Sequence, residues 1–149
     1  MNHARVRMTP KLIDSLYTEA MLLADEARSY FDRHGREERL TLDPLLRVGF
    51  SVESLKVTTR LMHVIAWLLN QRAVEAGEIS ASEAGSKERR LGDSPSSDPA
   101  LVARLPEGAL QLVRSSQDLF ARVQRLEERG AEPRPSPARS LQSRLERAF

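Results

Sequence analysis

Near the start of the chain, apolar residues recur every three or four positions, which is the period of an amphipathic α-helix. Thr9 can cap such a helix, Pro10 suits its first turn, and Gly35 marks its end. The pattern therefore predicts a helix over residues 10–34. Its apolar face consists of Ile13, Leu16, Tyr17, Ala20, Leu23, Ala24, Ala27, Tyr30 and Phe31.

Two later stretches repeat this period and predict two further long helices. The second helix covers residues 52–76 and ends before Gly77. The third covers residues 100–129, with Pro106 able to interrupt it. Three amphipathic helices with short or flexible connections predict an all-α fold, an antiparallel three-helix bundle formed by residues 1–130.

Two segments have the composition of mobile chain. Residues 85–99 are rich in Ser, Pro, Gly and Asp, which predicts a flexible linker. Residues 131–149 are predicted to be a mobile tail, because three prolines prevent regular structure near its start. The end of this tail can form a short helix with Leu141, Leu145 and Phe149 on one side and Arg139, Arg144 and Arg147 elsewhere.

The apolar face of the second helix is unusually wide. It occupies about half of the circumference or more, whereas a surface helix needs only a stripe of about 100°. The excess is explained either by the other two helices packing on both sides or by a homodimer interface, and the two explanations are compatible. The expected core or dimer positions are Leu61, Val64, Ile65 and Leu68.

The opposite face of the second helix collects polar residues around the single tryptophan. Arg60, His63, Trp67 and Gln71 follow one another at helical spacing. Trp67 either packs beneath the connecting segment or at a dimer interface, or it marks a partner-binding site formed by these residues, since Trp and Arg are enriched at interface centres. The tail offers a second candidate partner-binding site, which comprises Arg139, Leu141, Arg144, Leu145 and Phe149.

Charge and composition narrow the classes of function. Of the 149 residues, 40% are hydrophobic and 30% are charged, which is typical of a soluble domain. The tail accounts for the whole net charge of +2, so the body is neutral, which speaks against nucleic-acid binding. With no secretory signal and no apolar stretch long enough to span a bilayer, we expect a cytoplasmic protein that makes no membrane contact.

Reaction chemistry is missing from the sequence. It contains no cysteine, which excludes disulfides, thiol nucleophiles and Cys-ligated metals. Phosphate-binding loops and hydrolase or metalloprotease motifs are absent, and the three histidines lack a metal-ligand spacing. We therefore expect no enzyme activity, no metal and no cofactor.

The segment from Phe50 to Glu78 is distinctive: it reads FSVESLKVTTRLMHVIAWLLNQRAVEAGE. Its Ser-x-Glu-Ser helix start, its TTRLM and AWLL-x-QRAV strings and its final Gly-Glu resemble the family of the alphaproteobacterial regulator of CtrA degradation, RcdA. This family is long catalogued as a domain of unknown function. The resemblance covers roughly residues 9–78 and, more loosely, the third helix.

The resemblance implies a non-enzymatic adaptor in cell-cycle control. It implies a dimer of three-helix bundles that delivers regulatory proteins to the ClpXP protease, together with CpdR-like and PopA-like proteins. A mobile tail that handles cargo and recruitment to a cell pole are further expectations. The alternative is a nucleic-acid-binding transcriptional regulator that uses the Arg-rich tail, and the salt dependence of DNA binding would distinguish the two.

Overall fold

The structure, a computed structural model, describes residues 10–131 and 137–148. Regular secondary structure in these two ranges is entirely helical, which confirms the predicted all-α fold. A 3-10 turn covers Lys87–Arg89. In chain order the helices are α1 (Pro10–Asp32), α2 (His34–Leu40), α3 (Pro44–Glu75), α4 (Ala81–Ala84), α5 (Pro99–Val102), α6 (Glu107–Ala131) and α7 (Pro137–Ala148).

The longest helix, α3, begins at Pro44 and not at residue 52 as predicted. Asp43 caps it, because its carboxylate accepts a hydrogen bond of 2.9 Å from a backbone N–H of the first turn. Gly49 lies within the helix and does not break it. A Cβ atom at Gly49 would lie only 2.9 Å from the side chain of Leu101, so this glycine admits a close approach of α5 to α3.

The other two predicted helices are each divided. The predicted helix over residues 10–34 ends earlier, and α2 follows it with Gly35 buried beside the ring of Phe50. The predicted helix over residues 100–129 becomes α5 and α6. Pro106 lies directly between the segments, where a residue without an N–H cannot continue the helical hydrogen bonds.

α1 runs antiparallel to both of its bundle partners, α3 and α6. Arg72, near the end of α3, pairs with Asp14, near the start of α1, at 2.9 Å. Arg122, in the second half of α6, pairs with Glu19, in the first half of α1. It follows that α3 and α6 run parallel, so the predicted antiparallel arrangement is wrong for this pair. The physical reason is the long connection over residues 76–106, which returns the chain along α3 before α6 begins.

The core lies where α1, α3 and α6 meet. Each large apolar side chain buried there stabilises the fold by about 1.5–3 kcal/mol, so the core dominates the stability of the bundle. Its buried members include Ile13, Leu16, Ala20, Val57, Leu61, Val64, Trp67, Leu68, Leu112, Val113, Leu119, Phe120 and Val123.

A group of aromatic rings closes the bundle beside α2. Phe31 meets Tyr30 and Phe50 edge to face, with ring centroids 5.1 and 5.5 Å apart. The Tyr30 hydroxyl donates a hydrogen bond of 2.5 Å to Oε2 of Glu38. Burial and the neighbouring Glu38 carboxylate both disfavour the phenolate, and together they raise the pKa of Tyr30 above its ordinary value.

Candidate protein-interaction surfaces

Residues 90–98 form an extended segment, here called the strap, that crosses the polar face of α3. It enters near Asn70, whose amide donates to the carbonyl of Arg89 at 3.3 Å, and leaves near Glu53. The path therefore covers about 25 Å of α3 at a rise of 1.5 Å per residue, which nine extended residues can span. The strap is thus the part of the connection that allows α3 and α6 to run parallel.

Arg60 is the centre of the strap site, and its side chain is fully buried. One guanidinium nitrogen, Nη2, donates to the carbonyl of Pro95 and to Oγ of Ser97, both at 2.8 Å. Nε donates to Oγ of Ser94 at 3.3 Å, and Nη1 donates to Oγ of Ser116 in α6 at 3.2 Å. Four hydrogen bonds therefore use most of the five donors that a guanidinium offers.

Glu53 supplies the negative charge of the same site and is also buried, at 1% exposure. Its carboxylate accepts a hydrogen bond of 2.6 Å from Ser97 Oγ and one of 3.1 Å from Lys56 Nζ. Burial lowers the pKa of Arg60 from its ordinary value, and the charge of Glu53 acts in the opposite direction. The buried charges are thus compensated by each other and by hydrogen bonds, as burial of charge requires.

Further side chains hold the backbone of the strap. Lys56 Nζ donates to the carbonyl of Ser96 at 2.6 Å, and His63 Nδ1 lies 3.0 Å from the carbonyl of Asp93. Because a carbonyl can only accept, the proton of this second bond belongs to Nδ1. A Cβ atom at Gly92 would lie 2.6 Å from the His63 ring, so only glycine permits this approach. The strap is therefore bound through three of its carbonyls and through the hydroxyls of Ser94 and Ser97.

The predicted partner-binding residues on the polar face of α3 are not an accessible stripe. Arg60 and Trp67 are 0% and 3% exposed, so neither is accessible to a partner while the strap is in place, and their role in partner binding stays a prediction. His63 and Gln71 are half-buried. The residue that packs beneath the connecting segment is Arg60, whereas Trp67, for which this packing was expected, is buried in the hydrophobic core. The sequence feature that could have indicated the burial of Arg60 is the Ser-Pro-Ser-Ser run at 94–97, which supplies the acceptors that a buried arginine needs.

The strap occupies most of the predicted flexible linker over residues 85–99, and the mobility of this linker stays a prediction. This segment contains the 3-10 turn and the strap and ends at the first residue of α5, and the backbone N–H of Leu91 donates to Glu127 of α6 at 2.7 Å. A segment of low apolar content is expected to be mobile only if charged side chains of the helix bundle form no hydrogen bonds with it. Here α3 offers several.

A second face of α3, rotated away from the strap, is apolar and exposed. We call its residues the apolar stripe. They alternate in steps of three and four, the spacing of a coiled-coil seam, with Thr59 completing the series. Leu45, Leu55 and Met62 are 73%, 69% and 63% exposed. The full stripe is Leu45, Val48, Val52, Leu55, Met62, Ala66 and Leu69.

The four predicted core or dimer residues do not belong to the apolar stripe. Leu61, Val64 and Leu68 are buried inside the bundle. Ile65 is half-buried and lines a groove of about 390 Å³ between α1 and α3, beside Met62. The wide apolar arc of the helix therefore divides into a core side and an exposed side.

The predicted tail residues lie partly within α7. Leu141 and Leu145 are 56% and 50% exposed and lie one helical turn apart, and Arg144 is also exposed. Arg139 belongs to the same helix. Phe149 lies outside the residues that the structure describes.

The described residues contain neither a metal-binding cluster nor a helix that could span a membrane. Within residues 10–131 and 137–148, the Asp, Glu and His side chains form no group of three or more that could hold a metal ion. Across the same ranges, every helix is too short or too polar to cross a bilayer.

The length of the match to known proteins decides the family. A family model described as "Protein of unknown function (DUF1465)" matches residues 4–149. The chain belongs to this family. The protein is also similar to RcdA from Caulobacter crescentus CB15, with 33% sequence identity and a TM-score of 0.67 to its crystal structure. The match covers 83% of this chain and 92% of the RcdA chain, which places the protein in the RcdA family. No curated protein sequence matches it.

Proposed function

We propose that this protein is a non-enzymatic adaptor that delivers regulatory proteins to the ClpXP protease in cell-cycle control. The observation that carries the proposal is the similarity to RcdA over 92% of the RcdA chain. By this likeness its partners are the protease, CpdR-like and PopA-like proteins and the regulators to be degraded, in the cytoplasm or at a cell pole. The exposed apolar residues of α3 and α7 support a protein that works through contacts with other proteins.

The apolar stripe is the surface on which we expect a second copy of the chain. From Leu45 to Leu69 the stripe is about 36 Å long, at 1.5 Å per residue. Two stripes packed about a two-fold axis would bury large side chains that water now surrounds. A contact of this length is suited to the roughly 1,200–2,000 Å² that a stable interface buries. Homodimerisation would therefore cover the side of α3 that the bundle leaves open.

We expect α7 to capture cargo. Leu141 and Leu145 lie on the same side of the helix, exposed among arginines, which suits insertion into an apolar groove of a partner. Three prolines in the sequence before and at the start of α7 separate it from α6. A tethered helix of this kind raises the local concentration of whatever it holds near the bundle.

Degradation of a cargo protein by purified ClpXP, with and without this protein, tests the proposed function. Adding the full chain should accelerate degradation of a cargo identified by affinity capture. Replacing both Leu141 and Leu145 with Ser should remove most of that acceleration and leave helix content and melting temperature unchanged. Gln142→Ser is the matched control, because it is an exposed residue of the same helix. Equal acceleration by the double variant and the control would exclude α7 as the capture element.

A further inference from the structure

The strap is held in the way that proteins hold an extended peptide. Its partners on α3 are Glu53, Lys56, Arg60 and His63, which lie three or four positions apart and so share one helix face. They contact strap residues 97, 96, 95 and 93 in order, so the strap runs in the opposite direction to α3. Lys56, Arg60 and His63 donate to strap carbonyls, whereas Glu53 accepts from the hydroxyl of Ser97. We call this row of α3 side chains the ladder. It can bind any extended peptide that presents carbonyls at the same spacing.

At two positions of the strap, the ladder also forms hydrogen bonds with side chains. Ser97 donates its hydroxyl hydrogen to Glu53 and accepts a hydrogen bond from Arg60 through the same oxygen. Ser94 accepts from Nε of Arg60. A ligand without a hydroxyl at the first of these positions would leave the buried carboxylate of Glu53 short of a donor. The site therefore selects for serine at the position of Ser97 and tolerates other residues where the ladder contacts only carbonyls.

The hold on the strap is mainly polar. Leu91 packs against the core, but residues 93, 94, 96 and 98 are exposed. Hydrogen bonds to the strap can be exchanged for hydrogen bonds to water or to another peptide, whereas the core contacts beneath cannot. Release of the strap would also return the buried charges of Arg60 and Glu53 to solvent. Residues 92–98 of the strap do not belong to the core, so they can leave the groove while Leu91 keeps its place and the bundle stays folded.

From these contacts we propose that the groove beneath the strap, between α3 and α6, is a peptide-binding site that the strap occupies in the free protein. Its ligand is an extended, Ser- and Pro-containing segment of a partner protein, bound through main-chain carbonyls and one partly buried serine hydroxyl. The strap acts as a tethered competitor, and a partner segment binds by displacing it. This site is separate from α7 and from the apolar stripe and does not depend on a protease.

Binding of a fluorescent peptide with the sequence of residues 90–98 tests the proposal directly. Wild-type protein should bind it weakly, because the tethered strap has the higher effective concentration. A full-length variant with residues 92–97 replaced by six glycines lacks both serine contacts and should bind the peptide at least tenfold more tightly. The same peptide with Ala at the position of Ser97 should bind this variant at least tenfold more weakly, and a scrambled peptide should not bind.

A second variant keeps the proposal testable if the glycine strap destabilises the protein. Gly92→Ala places a methyl group against the His63 ring and leaves the contacts of Arg60 in place. It should bind the peptide several-fold more tightly than the wild type, with an unchanged circular dichroism spectrum. Peptide affinity equal to that of the wild type in this variant, or equal affinity for the native and scrambled peptides, would show that the strap is only a structural connection.

Discussion

The two faces of α3 that lie outside the three-helix core reverse the usual relation between polarity and burial. On one face Arg60 and Glu53 are 0% and 1% exposed. On the other, Leu55 and Met62 are 69% and 63% exposed. The difference comes from what the rest of the chain places over each face. The strap brings hydroxyls and carbonyls to the charged face, whereas no described segment covers the apolar one. Burial here follows the path of the chain and the available hydrogen-bond partners rather than residue type.

Removing Arg60 should give the largest loss of stability. Arg60→Ala removes a positive charge that interacts with the buried Glu53 carboxylate and deprives the strap of three hydrogen bonds. We expect the free energy of unfolding to fall by about 3 kcal/mol in denaturant titration, the lower end for breaking a buried charge pair. Arg72→Ala is the control, since the partly exposed pair with Asp14 should contribute at most about 1 kcal/mol. Similar small losses in both variants would mean that the strap does not bury Arg60 in solution.

A charge on the apolar stripe should break self-association without unfolding the bundle. We expect Leu55→Glu to weaken dimerisation about 100-fold, which corresponds to about 2.7 kcal/mol, because each dimer would bury two unpaired carboxylates. Sedimentation velocity at micromolar concentration measures this effect. Leu22→Glu on α1, where the leucine is 67% exposed, is matched in exposure and should leave association intact. A monomeric wild-type protein at this concentration would refute the proposed interface.

Ser115 and Ser116 are adjacent in α6, but only the hydroxyl of Ser116 takes part in the hydrogen bonds around Arg60. Ser116 is buried and accepts a hydrogen bond from Arg60, whereas Ser115 is exposed. Ser116→Ala should lower the free energy of unfolding by about 1–2 kcal/mol, because the guanidinium loses a buried acceptor. Ser115→Ala should change it by less than about 0.5 kcal/mol. Thermal unfolding of the two variants gives the comparison, and equal effects would contradict the buried network.

Tyr30 lies in α1, outside the two faces of α3 compared above. Its expected effect on the free energy of unfolding is smaller and depends on pH. The raised pKa of Tyr30 means that the folded state keeps its phenolic proton after the unfolded chain has lost it, near pH 10. The stability contributed by this group is therefore complete below about pH 10 and is lost as the pH rises further. Tyr30→Phe should make unfolding less sensitive to pH above 10. Parallel pH profiles of wild type and Tyr30→Phe would contradict this account.

Much of the fold could be predicted from local sequence, but the arrangement of the bundle could not. The three-to-four spacing from Ile13 to Phe31 produces a helix wherever it occurs, so α1 follows from the pattern. The start of α3 was missed because a glycine normally weakens a helix, whereas Gly49 is needed for the contact with Leu101. The parallel course of α3 and α6 depends on a connection whose length permits either direction.

The candidate sites divide in the same way. The amphipathic character of α7 is readable from Leu141, Leu145 and the arginines around them. The role of Arg60 is not readable, because its three strap partners lie 34 to 37 residues further along the chain and Ser116 lies 56 residues away. A helical wheel places Arg60 on the polar side and assigns that side to solvent by default.

By itself, the sequence determined the all-α class and the family, because helical periodicity and the string from Phe50 to Glu78 are local properties of the chain. It also determined that α3 has more apolar surface than one neighbour can cover. Only the tertiary structure decided which part of that surface enters the core and which part forms the exposed stripe. It likewise decided that a Ser- and Pro-rich segment docks as the strap, because a buried charge requires acceptors and distant residues supply them.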